Sequence, residues 1–228
     1  ETLDNNQLGG SGSYAKRWKR TGTTTGTIAY SQFSSSLGNT FIQFDESGPD
    51  SSISGTNFSR NAISELNVKL EHSLPARKVQ SIRFGVGYLM NESAFSFDST
   101  TVSLPAVTNS VSRTRIYIKD DIRLGSMLTI QPGVRLDVTI EDPTVYFQPR
   151  FGLMLQPNKH WRVRLAWGMY NQFIAENALV DHLGNELYFW QVANGTGTFV
   201  QSSMHNLAGI SFSKWGLNLA LEGYYKTL

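Results

Sequence analysis

Cysteine is absent from the 228 residues. That excludes a disulfide framework, a thiolate zinc site and a cysteine nucleophile. Charge is sparse at 17%, below the roughly 25% of an average soluble domain. The formal balance of +2 leaves no broad electrostatic footprint for nucleic acid and no acidic tail. No apolar run approaches the ~18 residues of a membrane-crossing helix. The opening ETLDNNQLGG has neither the basic region nor the apolar core of a signal peptide. None of these absences speaks against a transmembrane β-barrel, whose alternating faces hide it from hydropathy.

What the chain does have is alternation. In 128–140, LTIQPGVRLDVTI, Leu128, Ile130, Pro132, Val134, Leu136, Val138 and Ile140 share one parity. Thr129, Gln131, Gly133, Arg135, Asp137 and Thr139 share the other. Successive strand side chains point to opposite faces, so this is a strand with one apolar and one charged side. Residues 161–173 repeat it, with Trp161, Val163, Leu165, Trp167, Met169 and Phe173 against Arg162, Arg164, Ala166, Gly168, Tyr170 and Gln172. Residues 145–155 do so again, and weaker copies lie at 65–71, 82–88, 115–122 and 217–225, with Asp120 falling on the apolar parity. Gly/Ser/Thr-rich stretches at 8–18, 23–34 and 200–212 read as extended with an open register. The expectation is an all-β chain of about ten antiparallel strands, each longer than the ~5–6 residues usual in globular sheets.

The connections alternate too. Short polar links KRTGT (19–23), LPARK (74–78), RLGSM (123–127), QPNKH (156–160) and SKWG (213–216) are interleaved with 35–62, 91–110, 141–143 and 175–199. Three of those four are long, as in an up-and-down outer-membrane barrel with tight turns at one end and large loops at the other. Arg83, Arg115, Lys119, Asp121, Arg135, Asp137, Arg150, Arg162, Arg164 and Glu222 all project to one side. In a soluble barrel or sandwich that side is the exterior, whereas in a membrane barrel it is the wet lumen. Strand length favours the second, because ~9–11 tilted residues cross a bilayer. Aromatics at strand ends, among them Trp18, Trp161 and Trp215, suit interfacial girdles. Pro132 and Pro149 sit inside predicted strands, where a missing N–H breaks the ladder; either they share a bulge or the strand limits lie a few residues away.

The run 117–174 resembles the mid-barrel of TonB-dependent outer-membrane receptors, especially those of Bacteroidetes-type bacteria. The residues carrying the likeness are Tyr117, Asp120 and Asp121; Leu128, Pro132, Gly133 and Arg135; Pro149 and Arg150; then Trp167, Gly168, Tyr170, Gln172 and Phe173. The resemblance implies a barrel of about 22 strands enclosing an N-terminal plug. It also implies energy coupling through TonB and uptake of siderophores, cobalamin, haem or glycans. It further implies contact with membrane lipid or lipopolysaccharide, and in many glycan importers a capping surface lipoprotein. This sequence lacks a recognisable TonB box, plug or aromatic C-terminal strand. The expectation is therefore that residues 1–228 form an internal barrel segment, its inward charges facing lumen and plug. The rival readings are a small closed barrel acting as adhesin, pore or hydrolase, and a soluble β-sandwich binding module.

Catalytic chemistry is not apparent. His72, His160, His182 and His205 lack H-x-x-x-H or H-E-x-x-H spacing and read as surface, turn or loop residues. Asp120–Asp121 and Glu141–Asp142 have no acid–base partner nearby in sequence, and the acidic loop DESGPD (45–50) lacks an EF-hand pattern. No G-x-S-x-G, Walker A or G-x-G-x-x-G motif occurs, so neither an enzyme nor a cofactor is expected. The loop 175–199 carries three consecutive aromatics, Tyr188, Phe189 and Trp190, the candidate external ligand-contact patch. Loop packing over the barrel mouth is the other reading of the same residues.

Overall fold

Alternation of this kind gives strands whose backbone groups must all be paired by neighbours. In the computed structural model, residues 2–44, 52–75, 79–99, 103–180, 186–195 and 197–228 are described. They form β1 (Thr2–Trp18), β2 (Gly22–Phe44), β3 (Ser52–Ser73), β4 (Gln80–Ser99), β5 (Ser103–Leu124) and β6 (Leu128–Thr139). There follow β7 (Val145–Leu155), β8 (Trp161–Gln172), β9 (Ile174–Val180), β10 (Glu186–Val192), β11 (Gln201–Lys214) and β12 (Leu217–Thr227). Ten strands make one antiparallel sheet in the order β1 to β8, then β11 and β12, while β9 and β10 pair only with each other. The sheet is open, with β1 and β12 at its edges. It is neither a two-sheet sandwich nor a small closed barrel.

Register carries each parity across the whole sheet. On one face Val86 pairs with Ile116, Ile116 with Leu136, and Leu136 with Phe147. On the other, Gly87 meets Arg115, Arg115 meets Asp137, and Asp137 meets Tyr146. A slip of one residue would exchange the faces, so an apolar belt this consistent fixes the pairing. The belt is not covered by protein: Ile28, Leu70, Val86, Ile116, Leu165 and Leu221 are all exposed. In water that surface would forgo roughly 1.5–3 kcal/mol per large side chain, which a lipid environment supplies. The buried apolar cluster is small, consisting of Val111, Phe173 and Val192 with Tyr146 and Val200 against them. No helix among the described residues is long and apolar enough to cross a membrane.

Among the described residues, the links after β1, β5 and β11 form tight turns. Trp215 and Gly216 both have positive φ (57° and 75°) between the paired Lys214 and Leu217, the conformation that matches a hairpin's twist. Gly22 needs its missing side chain, because at φ 112° a Cβ would lie 1.9 Å from the Ser73 carbonyl oxygen.

Two predicted long connections are instead strand. Residues 35–44 and 52–62 continue β2 and β3, and 91–99 and 103–110 continue β4 and β5. These four strands run 20 to 23 residues, against 11 or 12 for β6, β7 and β8. The loop 175–199 is also largely ordered, as the β9–β10 hairpin.

The prolines do not share a bulge. Pro132 pairs with Phe151 and Pro149 with Val134 in unbroken β6–β7 register. Each instead interrupts the ladder on its other side. Between β5 and β6, pairing skips from Lys119↔Gly133 to Ile122↔Ile130. Between β7 and β8 it ends at Arg150↔Gly168, beside Pro149. A residue with no N–H leaves its neighbour's carbonyl without a donor, and pairing lapses there. Above that point β7 and β8 diverge, and Phe173 departs from the expected outward parity. It turns inward, 4% exposed, edge-on to Tyr146 with ring centroids 4.9 Å apart.

Candidate functional site

The charged face is where chemistry-bearing side chains converge. Parity places Arg83, Arg115, Asp121, Arg135, Asp137, Arg150, Arg162, Arg164 and Glu222 together on it, each at the register expected from alternation. At its centre Asp137 is fully buried, and the Arg115 Nε donates to it at 2.8 Å. The Arg135 guanidinium lies 3.5 Å away, and the Gln148 carboxamide donates at 2.8 Å while accepting from Arg135. One carboxylate thus holds two guanidiniums and a buried amide. Removing it would leave two half-buried guanidiniums and a buried amide without their acceptor.

Smaller networks surround this hub. Toward the short-turn end, Asp121 gathers Arg83 and Lys119, each at 3.6 Å, and accepts from Gln131 at 2.6 Å. Glu71 accepts from the Tyr117 hydroxyl at 2.5 Å and pairs with Lys69 at 3.0 Å. Its neighbours Arg83, Arg115, Arg135 and Arg150 line a recess with Lys69 and Tyr170. Beside it, Arg150 lies 4.6 Å over the Tyr170 ring, which packs on His205 at 4.5 Å, itself edge-on to Tyr224. His205 is therefore part of an aromatic cluster rather than an isolated surface residue. His72 is bonded to Thr24 and the Thr21 carbonyl, and His160 lies in a turn against the Ser213 carbonyl. His182 and the acidic loop 45–50 lie outside the described residues.

The two acidic pairs are separated by the fold. Asp121 faces the charged side, whereas Asp120 takes the apolar parity and accepts from Gln80. Glu141 reaches back to accept from the Ser112 backbone N–H at 3.1 Å through both oxygens. Burial pushes its carboxyl up, but these bonds outweigh that and hold it below the usual range. Among the described residues no group of three or more His, Cys, Asp or Glu could hold a metal ion.

The β9–β10 hairpin lies on this same face, at the end opposite the short turns. Its strand β10 docks by its backbone: Trp190 N–H donates to Asn61 Oδ1 and its carbonyl accepts from Asn61 Nδ2, both at 2.8 Å. Two residues on, Val192 N–H donates to Ser93 Oγ at 2.9 Å. Beneath it, Arg113 is 4% exposed, donates to Asn91, and lies 3.8 Å over the Phe173 ring. The predicted aromatic patch is divided by the strand's own alternation. Phe189 stacks on Phe95 at 4.0 Å, while Tyr188 and Trp190 stay exposed. Phe189 is thus an anchor and not a free contact.

Asn61, Ser93, Arg113, Gln148 and His205 were not among the predicted site residues. Arg113 and Gln148 continue the parities of Arg115 and Arg150, and that signal could have found them. Asn61 and Ser93 act through partners more than ninety residues distant, which no local pattern encodes.

Residues 2–226 match the family described as TonB dependent receptor-like, beta-barrel. No curated protein sequence is significantly similar to this one. Among solved structures, the chain is similar to the siderophore receptor PirA from Acinetobacter baumannii, at TM-score 0.64 and 14% identity, covering 99% of this chain and 35% of that one. A variant of the ferric enterobactin receptor of Pseudomonas aeruginosa, in complex with enterobactin, gives 0.58 and 16%, covering 98% and 35%. The RagAB peptide transporter gives 0.58 and 8%, covering 98% and 30%. Identities this low establish a shared fold alone. The chain spans about a third of the length of these receptors.

Proposed function

Because the chain belongs to the TonB dependent receptor-like β-barrel family, we propose that it is a section of wall in a larger outer-membrane transport barrel. The observation that carries this reading is the open ten-stranded sheet with an uncovered apolar belt on one face and a connected charge network on the other. An open edge in hydrocarbon leaves backbone groups unpaired at several kcal/mol each, so β1 and β12 require further strands beside them. The charged face then lines a wet lumen and holds the receptor's plug through Arg115, Arg135 and Arg150, the first two oriented by the buried Asp137. Energy coupling through TonB belongs to other parts of the receptor. The residues described here bind and shape; they catalyse nothing, and the matched family is one of receptors rather than enzymes.

The cargo is a scarce nutrient captured from outside, such as a siderophore, glycan or peptide. Its first contacts are Tyr188 and Trp190 on the hairpin, exposed toward the mouth. A Bacteroidetes-type source and a capping surface lipoprotein accompany the resemblance of residues 117–174 to that branch of the family.

Orientation gives the direct test, with any cysteine outside residues 1–228 of the full receptor first replaced by serine, since residues 1–228 contain none. In intact cells producing the full receptor, Tyr188→Cys should react with a membrane-impermeant maleimide. Ser126→Cys, in the turn after β5, should react only once the outer membrane is permeabilised. Labelling of Ser126→Cys in intact cells would overturn the orientation, and labelling of neither would remove the protein from that membrane.

A further inference from the structure

On the uncovered face, β1 to β4 are not uniformly filled. Gly12 and Gly26 leave a shallow open groove of about 800 Å³ bordered by Tyr14, Ile28, Val68 and Leu70, with Val86 and Tyr88 beyond. A Cβ at either glycine would meet nothing within 4 Å, so no packing within this chain requires their smallness. Ile28 and Leu70, inside the sheet, are each more than half exposed, while Tyr14 lies on the edge strand β1. The groove starts four residues from the end of β1, about 13 Å along the strand, and rises away from the short turn. It therefore occupies the half of the membrane nearer the short turns.

A second, independent feature lies at its foot. Lys16 shares the outward parity of Gly12 and Tyr14, and its ammonium sits 4.1 Å from the Trp18 ring centroid. The turn that follows carries Lys19 and Arg20, both exposed. The bias extends along the chain: each of KRTGT, LPARK, RLGSM, QPNKH and SKWG contains Lys or Arg, and none contains Asp or Glu. Basic residues concentrated at one membrane surface attract anionic headgroups within a Debye length.

From the apolar groove and the cations beneath it, we infer that β1 to β4 form a binding site for one anionic phospholipid of the leaflet on the short-turn side. An acyl chain lies over Gly12 and Gly26 between Tyr14 and Leu70. The phosphate meets Lys16, with Lys19 and Arg20 supplying charge from the turn and Trp18 marking the headgroup level. Glycine at 12 and 26 is what leaves room for the chain. The inference rests on the membrane reading above, which the cysteine labelling tests separately.

The experiment is native mass spectrometry of the full receptor, delipidated in detergent and given palmitoyl-oleoyl phosphatidylglycerol or phosphatidylethanolamine with the same chains. Phosphatidylglycerol should be retained at least tenfold more than phosphatidylethanolamine. Lys16→Ala/Arg20→Ala should abolish that preference, and Gly12→Leu/Gly26→Leu should reduce retention of both lipids. Heat-modifiability on gels establishes that each variant is folded, and Lys16→Gln alone, which should at least halve the preference, serves if the double variant is not. Equal retention of the two lipids by the unmodified receptor would overturn the inference. So would a preference that survives loss of Lys16 and Arg20, or displacement of phosphatidylglycerol by lipid A.

Discussion

The carboxamide of Asn61 substitutes for a neighbouring strand at Trp190, donating to its carbonyl and accepting from its N–H, both at 2.8 Å. An asparagine side chain presents the same donor and acceptor as a peptide group, so β10 is tied to the wall as if by one rung of a ladder. The hairpin is thereby ordered through only a few contacts, which makes it separable from the sheet.

Asn61→Ala should release it. The Trp190 backbone would lose two part-buried hydrogen bonds, at about 0.5–1.5 kcal/mol each. Amide exchange at Trp190 and Val192 should accelerate by tens-fold, while exchange in β6 and β7 stays unchanged. Uniform acceleration across all of these would mean that the hairpin and wall open as one unit.

At the hub, Asp137→Ala should destabilise by about 1–3 kcal/mol, since the half-buried Arg115 and Arg135 and the buried Gln148 would lose their carboxylate partner. Asp137→Ala combined with Arg115→Met should recover part of that loss. Denaturant midpoints of the full receptor in detergent measure both. Additive losses would show that the two residues do not act as a pair.

The face assignment predicts unequal costs for the same substitution. Val134→Arg puts a guanidinium in the apolar belt and should cost about 2–4 kcal/mol in a folding assay near the membrane midplane. Thr129→Arg, on the charged face, should cost much less. Equal costs would reverse the assignment of lumen and lipid.

Glu141 lies in the turn beyond β6, where bonds from the Ser112 N–H hold its carboxyl below the ordinary range. A depressed carboxyl stabilises fully above its unfolded value and ceases to do so as pH falls through the lower folded one. Protection of the Ser112 amide, corrected for intrinsic exchange, should therefore decline in acid. In Glu141→Gln the protection should be weaker at neutral pH and flat on acidification.

Alternation made the lower wall legible because lipid lies on one side of it and charge on the other. Leu128 to Val138 and Trp161 to Met169 could be assigned to faces by inspection. Toward the far ends of the long strands the apolar belt stops: Ser34–Gly38 is mostly polar, and Ser93–Ser99 puts Phe95 on the parity opposite the belt, so both resemble loop although the backbone ladder continues. Phe173 fails for a different reason: β8 ends at Gln172, and parity has no meaning beyond a strand's last pair. Tyr188, Phe189 and Trp190 are adjacent in sequence, so a strand must send the middle ring to the side opposite the other two.

The unequal strand lengths give this section of wall an uneven skyline. Aligned at their short-turn ends, β2 to β5 exceed β6 to β8 by about ten residues, or about 30 Å along the strand. If the chain is the wall section proposed above, a solute approaching the mouth sideways meets a parapet on one flank and a low sill on the other. The hairpin bearing Tyr188 and Trp190 is anchored to the tall flank by Asn61 and Ser93, and it springs from the sill at the end of β8. On the proposed reading, cargo entering along this arc would cross the sill and meet those two rings before the charge network at Asp137.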